Sequence, residues 1–123
     1  MKTKIRKLCV LWCLIALYST NLKAQGIAYT WAKGMGGSGV NNGNSIVVDA
    51  SGNVYTTGYF TGTGDFDPNA GVTNLTSAGD RDIFISKLDA SGNFVWAKSM
   101  GGISIDQGNS IAVDGSGNVY TTG

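Results

Sequence analysis

Histidine and glutamate are absent from the 123 residues, and proline occurs once, at Pro68. Both cysteines, Cys9 and Cys13, lie close to the amino terminus. Without an imidazole, neither a Ser-His-Asp nor a Cys-His catalytic arrangement can be assembled from this chain, and His-ligated metal sites are excluded with them. All eight acidic residues are aspartates, so the bidentate Glu that closes an EF-hand shell is missing. Two aspartates can serve as acid and base on a glycosidic bond, yet no aspartate pair here stands apart from the repeat pattern described below. Catalysis by this chain is therefore not expected.

The amino terminus has its own composition. Lys2, Lys4, Arg6 and Lys7 precede an apolar run of 11 residues, 8–18, followed by the polar Ser19-Thr20-Asn21 and by Leu22-Lys23-Ala24. A basic start, a short apolar core and a small residue before the cut predict a secretory signal peptide over residues 1–24, cleaved after Ala24. The run is short of the roughly 20 residues that span a bilayer. An uncleaved anchoring helix is the competing reading. Lipoprotein processing requires a Cys at the cut, whereas Cys9 and Cys13 sit inside the run.

Cleavage changes the chemistry of what remains. Residues 25–123 retain Lys33, Arg81, Lys87 and Lys98 against all eight Asp, so the whole-chain charge of +1 becomes −4. No basic stripe is left for nucleic acid. Both cysteines depart, so no disulfide is expected. All 19 glycines stay, with the single proline, a balance that suits many tight turns better than a disordered linker.

Residues 31–58 and 96–123 align without a gap, offset by 65, and agree at 20 of 28 positions. A period of this size marks an array of equal supersecondary units that bury their apolar faces against one another. Within one period four short strands are expected. Residues 44–48 and 53–60 form one hairpin, and 82–88 and 93–98 a second, each run rich in Val, Ile, Phe, Tyr, Trp and Thr. Asp49-Ala50-Ser51-Gly52-Asn53 and Asp89-Ala90-Ser91-Gly92-Asn93 join them, and Asp114-Gly115-Ser116-Gly117-Asn118 opens the next period. In each, the Asp carboxylate is expected to accept backbone N–H groups while the Gly takes a positive φ. Ile46-Val47-Val48 and Ile83-Phe84-Ile85 are apolar on both faces, as in a sheet covered on two sides.

Four antiparallel strands per repeat, covered on both faces, describe the blade of an all-β propeller. By this count residues 27–41 supply the outer strand of a preceding blade, 44–100 one four-stranded blade and 109–123 the inner hairpin of the next. About one and a half blades result, a partial propeller over 25–123 whose remaining blades belong to a longer chain. The ordered string from Gly43 to Gly58, followed by 82–98 and Gly101-Gly102, resembles the SBBP-type beta-propeller repeat of exported bacterial proteins. The resemblance covers 27–123. It implies a propeller, often seven-bladed, in a secreted or cell-surface protein, and it implies a scaffold without a reaction of its own; the alternative is a fragment of a propeller enzyme, quinoprotein-like or hydrolytic, whose catalytic residues lie outside the sequence. Partners of such a module would be proteins or surface glycans, with no nucleic acid and no membrane span after signal cleavage.

Two further groups of residues invite a chemical reading. Asp65, Asp67 and Asn69 stand at alternate positions of an acidic loop, the spacing at which hard oxygen ligands converge on calcium, although the loop glycine comes one position late for an EF-hand. The competing reading is a plain connection that tucks Phe66 into the blade. No other cofactor is expected. Trp31 and Trp96, 65 apart, are similar to the tryptophans of quinoprotein docking repeats, which implies one buried ring per blade; the cofactor-binding groups of those enzymes are not recognisable here.

Overall fold

The computed structural model describes residue 26 and residues 28–123, and the expected signal segment lies outside them. In chain order the strands are β1 (Gly36–Gly37), β2 (Asn41–Val48), β3 (Val54–Phe60), β4 (Thr63–Asp65), β5 (Asn74–Thr76), β6 (Asp82–Leu88), β7 (Phe94–Met100), β8 (Ser110–Val113) and β9 (Val119–Thr122). All regular structure among the described residues is strand. The β-branched and aromatic runs became the long ones, because those side chains pack best on a pleated surface.

The main sheet has the order β2-β3-β6-β7, antiparallel throughout, so strands adjacent in sequence are adjacent in space. This is the up-and-down meander of a propeller blade. A separate two-stranded sheet, β8-β9, repeats the β2-β3 hairpin 65 residues on. β2 begins at Asn41, three residues before the expected start, because Asn41 pairs with Phe60 across a bulge at Gly43 and Ser45.

One face of the blade carries the core. β6 alternates strictly, with Asp82, Phe84, Ser86 and Leu88 buried and Ile83, Ile85 and Lys87 half-buried on the other side. Phe60, Phe84 and Ala97 meet Phe66, and Met35, Leu75 and Phe94 pack against them. Phe66 comes from the connection between β3 and β6. Its ring stands edge-on to Phe60 at 5.2 Å and tilted on Phe84 at 5.0 Å, within the range where aromatic pairs add attraction beyond area. That connection also supplies β4 and β5, which with β1 form a small sheet of order β1-β4-β5. The acidic loop is thus a connector that delivers a core ring.

The opposite face meets the next hairpin. β8 lies against β2 and β3. Asn44 Nδ2 donates to Gly108 O at 2.8 Å, Gly108 N donates to Gly58 O at 3.1 Å, and the Thr57 and Thr121 hydroxyls are 3.4 Å apart.

Two expectations need correction. Residues 31–35 form no strand, and β1 pairs with β4 instead of serving as the outer strand of a preceding blade, since the described residues offer no second strand of such a blade for it to join. Nor are Trp31 and Trp96 equivalent buried rings. Both are half-buried: Trp31 lies over the Asp89 turn, and Trp96 meets Tyr55 edge-on at 6.2 Å. Phenylalanines fill the core in their place.

Phe66→Ala is expected to cost about 3–5 kcal/mol, as large buried aromatics do, despite its place in a connection. Urea melting of the variant checks this; a loss below about 1 kcal/mol would show that the connection does not close the core.

Candidate functional site

The polar residues that recur most faithfully are those of the Asp-x-Ser-Gly-Asn turns. Asp49 Oδ1 accepts the Ser51 and Asn53 amides, both at 2.9 Å, and Oδ2 accepts Asn53 Nδ2 at 2.7 Å and the Tyr55 hydroxyl at 3.2 Å. Asp114 repeats all four bonds with Ser116, Asn118 and Tyr120. Asp89 makes the three to Ser91 and Asn93, and Val95 stands where the other turns have tyrosine. Each Asp amide also bonds the carbonyl of the turn's Asn, and the Gly amide bonds the Asp carbonyl. The glycines take φ of 83° at Gly52, 79° at Gly92 and 83° at Gly117, where a Cβ would crowd the following carbonyl.

These bonds favour the carboxylate form. Chiefly the Asn53 side chain, with the Asn53 and Ser51 amides and the Tyr55 hydroxyl, holds Asp49 below its ordinary value. The Asn118 side chain and amide act likewise on Asp114, and the Asn93 side chain and amide on Asp89, which the Lys33 ammonium favours as well. Six residues separate Asp from Tyr in the two inner turns, a spacing that could have been read from the sequence.

Trp31 and Lys33 close over the outer turn. Trp31 Nε1 donates to Ala90 O at 3.1 Å, and a Cβ on Gly92 would stand 3.0 Å from the Trp31 ring and 3.1 Å from Lys33 Cε.

The structure brings Asp65, Asp67 and Asn69 together along one open concavity of about 490 Å³, opposite Gly34, Met35, Gly36 and Gly37. One side-chain oxygen of each has a protein partner. Asp65 Oδ1 accepts the Asp67 amide at 3.0 Å and the Thr73 amide at 2.8 Å, and these two bonds, Thr73 first, lower its pKa. Asp67 Oδ1 accepts the Asn69 amide at 2.9 Å, and Asn69 Oδ1 accepts Lys33 Nζ at 3.0 Å. A calcium ion ligated by all three would have to displace the Lys33 ammonium from Asn69. Among the described residues no group of three or more His, Cys, Asp or Glu side chains is placed to hold a metal ion. One oxygen of each side chain is thus engaged by the loop's own amides or by Lys33.

Two outcomes follow from the turn geometry. All four shifted aspartates have folded pKa values below the unfolded one, so their contribution to stability is present above the ordinary value of 3.8 and is lost as pH falls through the lower folded values. Melting temperature should accordingly hold steady from neutral pH downward and drop only once that value is passed, which circular dichroism melts across the acid range will test. Gly92→Ala and Gly117→Ala should each cost about 1–2 kcal/mol for the left-handed backbone. The Gly92 variant should melt lower, because it also displaces Trp31, whereas no atom lies within 4 Å of a Cβ at Gly117.

Comparison with known proteins gives the same reading. The SBBP family, a beta-propeller repeat, matches residues 95–123, which hold most of β7, the inter-blade connection and the β8-β9 hairpin. An uncharacterized WD repeat-containing protein of Acanthamoeba polyphaga mimivirus is 31% identical over 110 residues, covering 78% of this chain and 8% of that protein. The chain thus spans less than a tenth of the length of that curated relative. No solved structure matches. Residues 95–123 match the SBBP beta-propeller repeat, and the four-stranded meander beside them has the form of a propeller blade.

Proposed function

We propose that this chain is part of a non-catalytic interaction scaffold, exported to the bacterial cell surface or beyond, whose inter-blade connections contact protein or surface-glycan partners. One observation carries the reading. Of the eight positions at which the two repeat copies differ, five are consecutive: Ser38-Gly39-Val40-Asn41-Asn42 against Ile103-Ser104-Ile105-Asp106-Gln107. Nine of those ten residues are exposed, Val40 at 54%, Ile103 at 89% and Ile105 at 59% among them. Outside that exposed stretch the copies differ only at Gly34/Ser99, Val47/Ala112 and Ala50/Gly115. Binding loops on a rigid framework diverge in this way. The conserved polar groups, by contrast, are engaged with the backbone of their own turns, which supports a structural role for them.

Export is supported by the sequence of residues 1–24. Mass spectrometry of secreted or surface-released material should find Gln25, free or cyclised, as the first residue; an intact Met1 on a cytoplasmic product contradicts export. For the interaction, the double variant Ile103→Ser, Ile105→Ser is compared with the parent on glycan and extracellular-protein arrays. Saturable binding that the variant loses, with melting temperature unchanged, supports the scaffold. Turnover of chromogenic glycosides or of a redox dye by the parent would overturn it.

A further inference from the structure

Asn-Gly occurs once in the chain, at Asn42-Gly43. The pair ordinarily marks a hairpin turn. Here it lies inside β2, an edge strand, at the bulge where pairing passes from Gly43 with Gly58 to Ser45 with Thr57. A bulge leaves the ladder locally disrupted. Asn42 pairs with Tyr59, and so lies on the same face as Thr57, the face that the β8-β9 hairpin covers; it remains exposed with that hairpin in place.

Neighbouring asparagines are tied down. Asn53, Asn93 and Asn118 donate to the carboxylates of their turns at 2.7, 2.9 and 2.8 Å, and each precedes a bulky Val or Phe that crowds the next amide. Asn41 Nδ2 donates to Gly37 O at 3.1 Å and Gly39 O at 2.8 Å, and Asn44 Nδ2 to Gly108 O at 2.8 Å. Asn42 Nδ2 has one long contact, with the Tyr59 hydroxyl at 3.4 Å, beyond the usual range for such a bond. Asp114-Gly115 is the acidic analogue of the pair, but the Asn118 side chain and amide favour its ionised carboxylate, which is a poor electrophile.

We propose that Asn42 modifies itself, its side-chain amide turning into a carboxylate without an enzyme. The Gly43 amide nitrogen gives its proton to solvent base and attacks Asn42 Cγ. The N–Cγ bond forms, the Cγ–Nδ2 bond breaks, and Nδ2 takes up a proton and leaves as ammonia, so that a cyclic succinimide remains. Water then opens the ring. Cleavage of the new N–Cγ bond yields aspartate, and cleavage between the Gly43 nitrogen and the Asn42 main-chain carbonyl carbon yields isoaspartate. No electrons are exchanged. Gly43 has no Cβ to hinder the attack and reaches the conformations that ring closure needs, and an exposed bulge on an edge strand opens at little cost. The new carboxylate forms beside the Tyr59 hydroxyl, which can donate to it, and the Arg81 guanidinium lies over the same ring at 4.7 Å. Negative charge thus appears within Ser38–Asn42, the stretch in which the two repeat copies diverge. The inference is independent of export and of any partner.

The full chain is aged in neutral buffer and digested with trypsin, and the peptide 34–81 is sequenced by tandem mass spectrometry. The mass gain of an amide turned acid should be confined to Asn42, with isoaspartate in excess of aspartate, and should accumulate faster in mildly alkaline than in mildly acidic buffer. Gly43 does not take a positive φ, and a Cβ there would meet only the Thr56 methyl, at 3.5 Å. Gly43→Ala should therefore fold and slow the conversion about tenfold or more by restricting the backbone. Asn42→Gln copies the Gln107-Gly108 of the second repeat, which must close a larger ring, and on isoelectric focusing it should not develop the acidic band that the parent acquires; it carries the test if Gly43→Ala fails to fold. A native chain that stays homogeneous while the urea-unfolded chain converts at Asn42 overturns the proposal. So does conversion that proceeds first at another asparagine, or that keeps the parent rate in Gly43→Ala.

Discussion

A carboxylate bonded to the amides two and four residues further along sets the register of all three wide hairpins. Asp49, Asp89 and Asp114 each close a turn whose flanking strands pair residues six apart: Val48 with Val54, Leu88 with Phe94, Val113 with Val119. Side chains alternate across a strand with period 2, so a slip of one residue at the turn would send every core position to the other face. Phe84 and Ala97 reach the same core because the Asp89 turn fixes the register of β6 against β7. Asp89 is only half-buried and is no member of the core cluster, yet the order of the core depends on its turn.

Given that register, the blade has two faces of different character. One is closed from within the chain by Phe66, a ring delivered by a connection. The other is closed by a neighbouring hairpin. This division explains why Thr57, on the second face, is buried at 0% exposure with its hydroxyl bonded to Phe84 O at 2.9 Å. A hydroxyl buried between blades needs a fixed acceptor, and the sheet's own carbonyl supplies one. Asp82 Oδ1 and Ser86 Oγ, on the first face, are buried without a protein partner.

The period, the four long strands and the turn chemistry were all legible in the sequence, because each depends on contacts within a few residues or on outright repetition. What escaped depends on distant contacts. β1, β4 and β5 are two or three residues long, the first two partly or wholly glycine, too short to show alternation. Trp31 meets its partner Ala90 59 residues away and Lys33 meets Asn69 36 away, so neither the docked indole nor the ammonium beside the acidic loop leaves a local sign. The spacing of Asp65, Asp67 and Asn69 located the loop correctly but could not show which amides its oxygens accept. Ile46 and Ile111 are the clearest case. Their local sequences are nearly the same, yet they are 65% and 7% exposed, and only the arrangement of hairpins distinguishes them.

The Asn44–Gly108 seam between successive hairpins has a consequence for how such a protein can change length. Because the back of one unit fits the front of the next, and the seam residues Gly43-Asn44 recur as Gly108-Asn109, a gene can gain or lose whole units by unequal recombination without any new surface having to be invented. Copy number is then free to drift. What limits it is only the angle through which each seam turns the following unit, which decides how many copies bring the last face round to the first.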